Sequence, residues 1–264
     1  MELAAVTDRV RDVPWMSPEQ GAEIYRHIRE AGPDHVLELG TANGASAAYM
    51  AAALEENGKG HVVTFDRSTA GFEPEPLLRD LGLDRWVTFI VRDDSSYNWY
   101  LKELVEENSD AAGNCEPIFD FCYLDGAHNW TIDGLAVVLV EKLLKPGSWL
   151  LLDDLEWSYS SSPSGASLPF PMSKSELRAP HVRAVFDLIV RQHPSFTQFR
   201  VQDANWGWAA KSPNAPRRYD VTSTRSAAGL VAMAGWKLAR IASSRVRRGK
   251  AAPDAEAKAR SPAG

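Results

Sequence analysis

The sequence is poor in cysteine and lacks long uninterrupted apolar segments. Its 264 residues include two cysteines, Cys115 and Cys122, which are too few for a disulfide framework. No run of about eighteen consecutive apolar residues occurs, so no membrane-spanning helix is predicted. Residues 1–5 also lack the charged and apolar regions of a secretory signal. These absences favour a soluble protein in a reducing, cytoplasmic setting.

Basic residues are scarce in most of the chain. Residues 1–210 hold 17 lysines and arginines against 32 aspartates and glutamates, whereas residues 211–264 hold twelve against three. Nucleic-acid binding needs a basic face that neutralises phosphates, so the acidic body argues against a nucleic-acid substrate.

Composition also predicts three parts: an irregular N-terminal segment at residues 1–15, a domain over residues 16–211 and a basic tail at residues 212–264. In the tail, residues 226–248 predict an amphipathic helix with a basic end, followed by a disordered terminus. Such a helix fits peripheral docking on an anionic membrane or a partner, a homo-oligomer contact, or a helix free in solvent. The pattern leaves these alternatives open.

A strand, a glycine-bearing turn and a helix follow one another at residues 36–57. The apolar strand leads into Gly40 and Gly44, and an alanine-rich helix begins at Ser46. The glycines leave room for a ligand near the backbone, and the first helical amides point toward it. This order indicates a nucleotide-binding corner. The turn lacks the middle glycine of a G-x-G-x-x-G dinucleotide fingerprint, which disfavours an NAD-linked oxidoreductase.

Five apolar segments alternate with predicted helices along the domain. The predicted strands are residues 36–39, 61–66, 86–91, 118–124 and 149–152. Nearly continuous apolar strands must be covered on both faces, so we predict a doubly wound α/β fold with a mostly parallel sheet. A helix at about residues 180–192 and a C-terminal antiparallel hairpin at 196–201 and 206–210 complete a seven-stranded sheet.

Residues 16–211 resemble S-adenosylmethionine-dependent methyltransferases with a Rossmann-like sheet. The matching motifs, in chain order, are Glu-Leu-Gly-Thr-Ala-Asn-Gly at 38–44, the ribose-binding acid Asp66, the adenine-edge pair Asp94-Ser95 and Leu-Leu-Lys-Pro-Gly at 143–147. The resemblance implies S-adenosylmethionine as cofactor. It also implies cofactor contacts by Glu38, Gly40, Thr41, Asn43, Gly44, Ser46, Asp66, Asp94, Ser95 and Asp125.

The charge of this corner agrees with that cofactor. An acidic rim formed by Glu38, Asp66 and Asp94 suits a sulfonium with a free amine better than it suits a polyanion. Taken singly, each acid is as easily a helix cap or a strand-end residue. Three acids at successive strand ends favour the ligand-binding interpretation.

A second group of acids follows the fourth and fifth strands. Asp125 ends the fourth strand, and Asp153 and Asp154 end the fifth. Neighbouring strands lie about 4.8 Å apart, so these carboxylates are expected to converge on one hard divalent cation, most plausibly magnesium. A metal-free enzyme is the alternative.

Here the resemblance narrows to metal-dependent small-molecule O-methyltransferases. Residues 16–21 and 153–157 resemble the catechol and caffeoyl-CoA type, whereas Asp-Gly-Ala-His-Asn-Trp at 125–130 is closer to the macrolide-sugar type. The resemblance implies in-line attack of an acceptor hydroxyl on the methyl group. Asp125 and His128 are the candidate catalytic residues, with His128 as general base because imidazole titrates near neutral pH. A hydrogen-bonding role for His128 is the competing interpretation.

The acceptor is expected to be a hydroxylated small molecule such as a sugar, glycoside or polyketide. Residues 155–174 are rich in serine and proline and predict a long loop that covers the site. Trp130, Trp157 and Tyr159 are candidates for an aromatic wall of the acceptor pocket, with ordinary core packing as the alternative. A non-catalytic protein that retains the fold and docks through its tail is the competing hypothesis for the whole chain.

Overall fold

The computed structural model describes residues 1–67, 73–162 and 170–214. The helices are α1 (Leu3–Val10), α2 (Pro18–Ala31), α3 (Ala45–Asn57), α4 (Pro74–Leu81), α5 (Tyr97–Glu107), α6 (Trp130–Leu143), α7 (Lys174–Arg178) and α8 (His181–Val185). The strands are β1 (His35–Leu39), β2 (His61–Asp66), β3 (Val87–Val91), β4 (Phe119–Leu124), β5 (Leu144–Leu152), β6 (Phe196–Gln202) and β7 (Trp206–Lys211). A 3₁₀ turn (Asp84–Trp86) precedes β3, and a π-helical turn (Phe186–Val190) follows α8.

The seven strands form one sheet in the order β3-β2-β1-β4-β5-β7-β6. The first five strands are parallel, and β7 runs antiparallel to both β5 and β6. The predicted doubly wound α/β sheet with an antiparallel C-terminal hairpin is confirmed. The strand order reverses beside β1, so the C-terminal ends of β1, β2, β4 and β5 meet at one edge, where open α/β sheets bind ligands.

Alternating side chains of the central strands enter two separate cores, one on each face of the sheet. In β1, Val36 belongs to the core formed with α1, α2 and α3, whereas Leu37 belongs to the core formed with α5, α6 and α8. In β5, Leu151 and Leu150 are divided in the same way. Burial on both faces explains why these strands read as continuous apolar runs.

Three elements differ from the sequence predictions. Residues 1–15 are not irregular throughout, because α1 forms there and buries Val6 and Val10 in the core. β5 begins at Leu144, where a Lys-Pro-Gly-Ser turn was predicted. The helix expected at residues 180–192 is split into α8 and the π-helical turn.

Some predictions fall on residues outside the described ranges. These are the amphipathic helix at residues 226–248, the terminus that follows it and residues 163–169 of the predicted loop. The described beginning of that loop, residues 155–162, forms turns. Among the described residues, no helix has both the length and the apolar character needed to cross a membrane.

Candidate active site

Gly40 brings the glycine corner into direct contact with the end of β4. Its amide donates to the carbonyl of Phe65 at 2.9 Å, and its φ of +103° lies outside the range that side chains favour. A Cβ at this position would stand 1.8 Å from the carbonyl oxygen of Asp125. The corner therefore requires glycine for its backbone conformation and for its close packing.

Asp66 holds the corner together. One carboxylate oxygen accepts hydrogen bonds from the amides of Thr41 and Ala42, each at 3.0 Å, and the other accepts from the amide of Arg67 at 2.7 Å. These bonds fix a turn in which Ala42 adopts a φ of +44°. Asp66 thus shapes the turn between β1 and α3 and also lines the large cavity described below.

Glu38 lies beneath the corner and is fully buried. One of its oxygens accepts a hydrogen bond from the Ser46 hydroxyl, and the other has no hydrogen-bond partner. Burial raises the pKa of Glu38 to about 8, against the opposing effect of hydrogen bonds from Ser46 and Thr64. Its direct role in the structure is to join β1 to the first turn of α3.

A cavity of about 1300 Å³ lies at the C-terminal edge of the sheet. It is lined by three of the ten predicted cofactor residues: Gly40, Asp66 and Asp125. The other seven do not line it: Glu38, Thr41, Asn43, Gly44, Ser46, Asp94 and Ser95. Ser96 and Tyr97, which come directly after the predicted adenine-edge pair, do line it.

Asp125, His128 and Asp154 come together in the lining of the same cavity. Their ligand-type atoms all lie within 4.8 Å of one another. His128 Nε2 stands 3.2 Å from Asp125 Oδ1 and 3.0 Å from Asp154 Oδ2, yet it makes no hydrogen bond of normal geometry. His128 and Asp154 both adopt left-handed φ values, +53° and +57°. Such conformations are costly outside glycine and persist only where the surroundings impose them.

The charge of His128 is set by its two acidic neighbours. Burial disfavours the imidazolium, but contacts with Asp125 and Asp154 outweigh it and hold the pKa of His128 well above its usual value. The imidazole ring therefore lies between two carboxylates that favour its protonated form. The site is built to accept positive charge.

Asp153, predicted as a third metal ligand, does not join this group. One of its oxygens accepts from the Tyr123 hydroxyl, and the other accepts from the Asp154 amide at 2.6 Å and from Asn205 Nδ2 at 2.8 Å. Asp153 follows the last residue of β5 and contacts Tyr123, which belongs to the core formed with α1–α3, and it also lines the cavity. Burial, followed by the nearby Asp125 and Asp154 carboxylates, raises its pKa.

Asn205 is a site residue that the sequence analysis missed. It lies in the turn between β6 and β7, and its Nδ2 contacts both Asp153 Oδ1 at 2.8 Å and Asp154 Oδ1 at 3.3 Å. Its carbonyl also accepts from the amide of Leu155 at 2.9 Å. Asn205 thus connects the hairpin to the end of β5. A lone asparagine in a turn carries no sequence signal for such a role.

Aromatic side chains form the wall next to His128. The rings of Trp157 and His128 are 4.9 Å apart, and those of Trp157 and Tyr159 are 4.8 Å apart. Both Trp157 and Tyr159 line the cavity, whereas Trp130, predicted for the same wall, does not. Trp15, which is 64% exposed, also lines the cavity, and it was missed because residues 1–15 were assigned to a separate segment.

A family model matches the part of the chain that contains most of β1 and all of β2, β3, β4 and β5. Residues 37–155 match the family model described as a methyltransferase domain. This match and the confirmed sheet agree with the methyltransferase resemblance of the motifs. Among the curated proteins, none matches the chain significantly.

Solved structures with the same fold are distant in sequence. An O-methyltransferase from Bacillus cereus in complex with SAH has 19% identity and a TM-score of 0.55, with 80% of this chain and 88% of that chain covered. The O-methyltransferase TomG from Streptomyces achromogenes, involved in tomaymycin synthesis and solved with SAM, has 19% identity and a TM-score of 0.52, over 80% and 89% of the two chains. A putative caffeoyl-CoA O-methyltransferase from Staphylococcus aureus has 17% identity and a TM-score of 0.56, over 80% and 93%.

Proposed function

We propose that this protein transfers the methyl group of S-adenosylmethionine to a hydroxyl of a small molecule, such as a sugar, glycoside or polyketide, with the help of a divalent cation. The observation that carries this proposal is the shared cavity. One continuous space reaches both the glycine corner, at Gly40 and Asp66, and the group formed by Asp125, His128 and Asp154. Its volume of about 1300 Å³ exceeds the range of a typical single-ligand pocket, roughly 300–1,000 Å³, and suits a donor and an acceptor together.

The residues at the corner fit a cationic methyl donor. Asp66 and Asp125 put two carboxylates on the cavity wall together with Gly40, and a third acid, Glu38, is buried at the end of β1. Ser96 and Tyr97 extend the same wall toward the end of β3. The Asp66 and Asp125 carboxylates attract a sulfonium and repel the phosphates of a dinucleotide.

The residues at the second group fit a hard divalent cation. Two carboxylates from adjacent strands face each other across His128, and hard cations prefer oxygen ligands. We assign the cation to Asp125 and Asp154. Asp153 acts through its hydrogen bonds to Tyr123, to the Asp154 amide and to Asn205, which support the end of β5. When bound, magnesium would neutralise the two carboxylates, lower the pKa of an adjacent hydroxyl and favour the neutral form of His128.

In the transfer itself, His128 removes the proton of the acceptor hydroxyl. The acceptor oxygen forms a bond to the methyl carbon while the carbon–sulfur bond breaks. The electron pair of the broken bond stays on sulfur, so the sulfonium becomes a neutral thioether. The protein contributes mainly by holding the two reactants in line. Trp157 and Tyr159 offer flat aromatic faces beside His128 on which a sugar or polyketide ring can pack.

Two measurements test the proposal. Calorimetric titration should detect S-adenosylhomocysteine binding, and tritium-labelled S-adenosylmethionine should label hydroxylated glycosides or polyketides. Each acceptor is paired with its deoxy analogue, which should remain unlabelled, and a chelator should stop the transfer until magnesium is restored. Absence of cofactor binding at high micromolar concentration would overturn the assignment. Full activity in chelator would remove the cation from the proposal.

A further inference from the structure

The loop at residues 126–130 carries His128 between β4 and α6. His128 has a left-handed φ of +53°, and the next residue, Asn129, caps α6 by accepting from the amides of Thr131 and Ile132. A strained residue at such a position needs external support. The question is which side chains hold the loop in this shape.

Part of the support comes from the helices next to the loop. The amide of Ala127 donates to the Tyr97 hydroxyl and to Asp133 Oδ1, both at 3.3 Å. The amide of Asn129 donates to Asp133 Oδ2 at 2.6 Å. Tyr97 belongs to α5 and Asp133 to α6, so this half of the support is part of the methyltransferase sheet and its covering helices.

The other part comes from the chain that follows β5. The Tyr159 hydroxyl donates to the carbonyl of Ala127 at 3.2 Å, and the amide of Trp130 donates to His181 Nδ1 at 3.1 Å. The rings of Tyr159 and His181 lie 5.4 Å apart. The backbone on both sides of His128 is therefore tied to residues that come 32 and 51 positions later than their partners.

The hydrogen-bond partners of His181 fix its protonation state. Nδ1 accepts the Trp130 N–H and so carries no proton, while Nε2 lies 2.8 Å from the carbonyl of Glu176, which can only accept. The ring is neutral and protonated on Nε2. It is also buried, with 6% of its surface exposed.

Hydrogen bonds also join the described beginning of the predicted covering loop, residues 155–162, to α7 and α8. On one side, the amide of Ser160 donates to the carbonyl of Leu177 at 2.8 Å, and Arg183 Nε donates to Glu156 Oε1 at 2.9 Å. On the other side, Glu176 in α7 is bonded to His181 itself. The described beginning of the covering loop is thereby linked, through α7 and His181, to the loop that carries His128.

We infer that His181 is a positioning residue whose neutral Nδ1 holds the Trp130 amide and thereby orients His128 toward the acceptor. This inference rests on the proposed methyl transfer. His181 does not line the cavity, so it acts through the 126–130 loop. Loss of the Nδ1 acceptor leaves the Trp130 N–H unpaired and allows the strained loop to relax.

Two matched substitutions of His181 distinguish the role of Nδ1 from that of Nε2. In His181→Asn, the side-chain oxygen stands where Nδ1 was and can still accept from Trp130. In His181→Gln, the amide reaches the Nε2 position and leaves the Trp130 N–H without its acceptor. We expect His181→Gln to lower kcat by about 10–100-fold with the KM for S-adenosylmethionine within about twofold, because outer partners of site residues have effects of this size. His181→Asn should recover most of that loss. His61→Gln is the control for the His-to-Gln change, because His61 is the first residue of β2 and lies at the end of the sheet opposite the site.

The inference fails if the Asn and Gln variants lose the same activity, or if both keep the wild-type rate. It also fails if the loss of kcat among the variants correlates with a lower melting temperature and not with loss of the hydrogen-bond acceptor for the Trp130 amide. A second readout does not depend on activity: nitrogen NMR of labelled histidine should show His181 protonated on Nε2 alone, and exchange of the Trp130 amide should quicken in His181→Gln only. If the wild type transfers no methyl group, the proposed function fails, whereas the NMR result still decides the role of His181 in holding the loop.

Discussion

The glycine corner and the Asp125–His128–Asp154 group use acidic residues in opposite ways. At the corner, Asp66 accepts three backbone amides and Glu38 accepts the Ser46 hydroxyl, so the acids mainly hold the fold. In the second group, the carboxylates of Asp125 and Asp154 lie on either side of His128 Nε2, at 3.2 and 3.0 Å. Acids of the first kind are expected to matter for stability, and acids of the second kind for chemistry.

The largest effect should come from the second group. Replacing His128 by Asn removes the proposed base, and kcat should fall by about 10²–10⁴-fold, the usual contribution of general acid–base catalysis. Calorimetric binding of S-adenosylhomocysteine should change by less than about twofold, because the glycine corner is intact. A variant that retains the wild-type kcat would exclude His128 as the base.

At the corner, Gly40→Ala should destabilise the fold by about 4 kcal/mol. A Cβ would stand 1.8 Å from the Asp125 carbonyl, and the φ of +103° adds conformational strain, two costs of about 1–3 kcal/mol each. Denaturant unfolding measures the loss. Gly58→Ala is the matched control, because Gly58 also has a positive φ, +68°, but nothing lies within 4 Å of its Cβ position. Equal losses in the two variants would show that strain, and not close packing, explains Gly40.

Glu38 gives a test that depends on pH. Its pKa is raised from 4.5 to about 8 in the folded protein, so the folded state keeps a proton that the unfolded state has released. The stability that this group contributes is complete below about pH 4.5 and is lost as the pH rises toward 8. Between about pH 4.5 and 7 the loss should be about 3 kcal/mol. Glu38→Gln should remove this dependence in unfolding experiments, whereas the exposed Glu30→Gln should not. Parallel pH profiles for wild type and Glu38→Gln would contradict the assignment.

The difference between the two regions also explains how far sequence reasoning could reach. The corner was predicted well because its glycines, strand and helix are neighbours in the chain and local spacing determines them. The five parallel strands were predicted because burial on both faces leaves continuous apolar runs. The start of β5 was missed because Lys145-Pro146-Gly147 has the composition of a turn, although the chain there continues in the sheet.

In the second group, the sequence predicted the positions of the acids but not their directions. Asp153 and Asp154 are adjacent, and which of them faces His128 depends on sheet alternation and on the left-handed conformation of Asp154. The contribution of Asn205 depends on a hairpin that returns to the end of β5 from 51 residues away. Such contacts are products of the tertiary fold, and no local pattern encodes them.

The last prediction concerns cation affinity at the end of β5, where the adjacent residues Asp153 and Asp154 should differ most clearly. Asp154→Asn removes one of the two proposed carboxylate ligands and should weaken Mn²⁺ binding by about 100-fold or more. Asp153→Asn should weaken it by about 10-fold or less, because Asp153 supports the site only through Tyr123, the Asp154 amide and Asn205. Calorimetric titration with Mn²⁺ alone compares the two variants without requiring a known acceptor. Equal weakening would restore Asp153 as a ligand and show that the end of β5 rearranges around the cation.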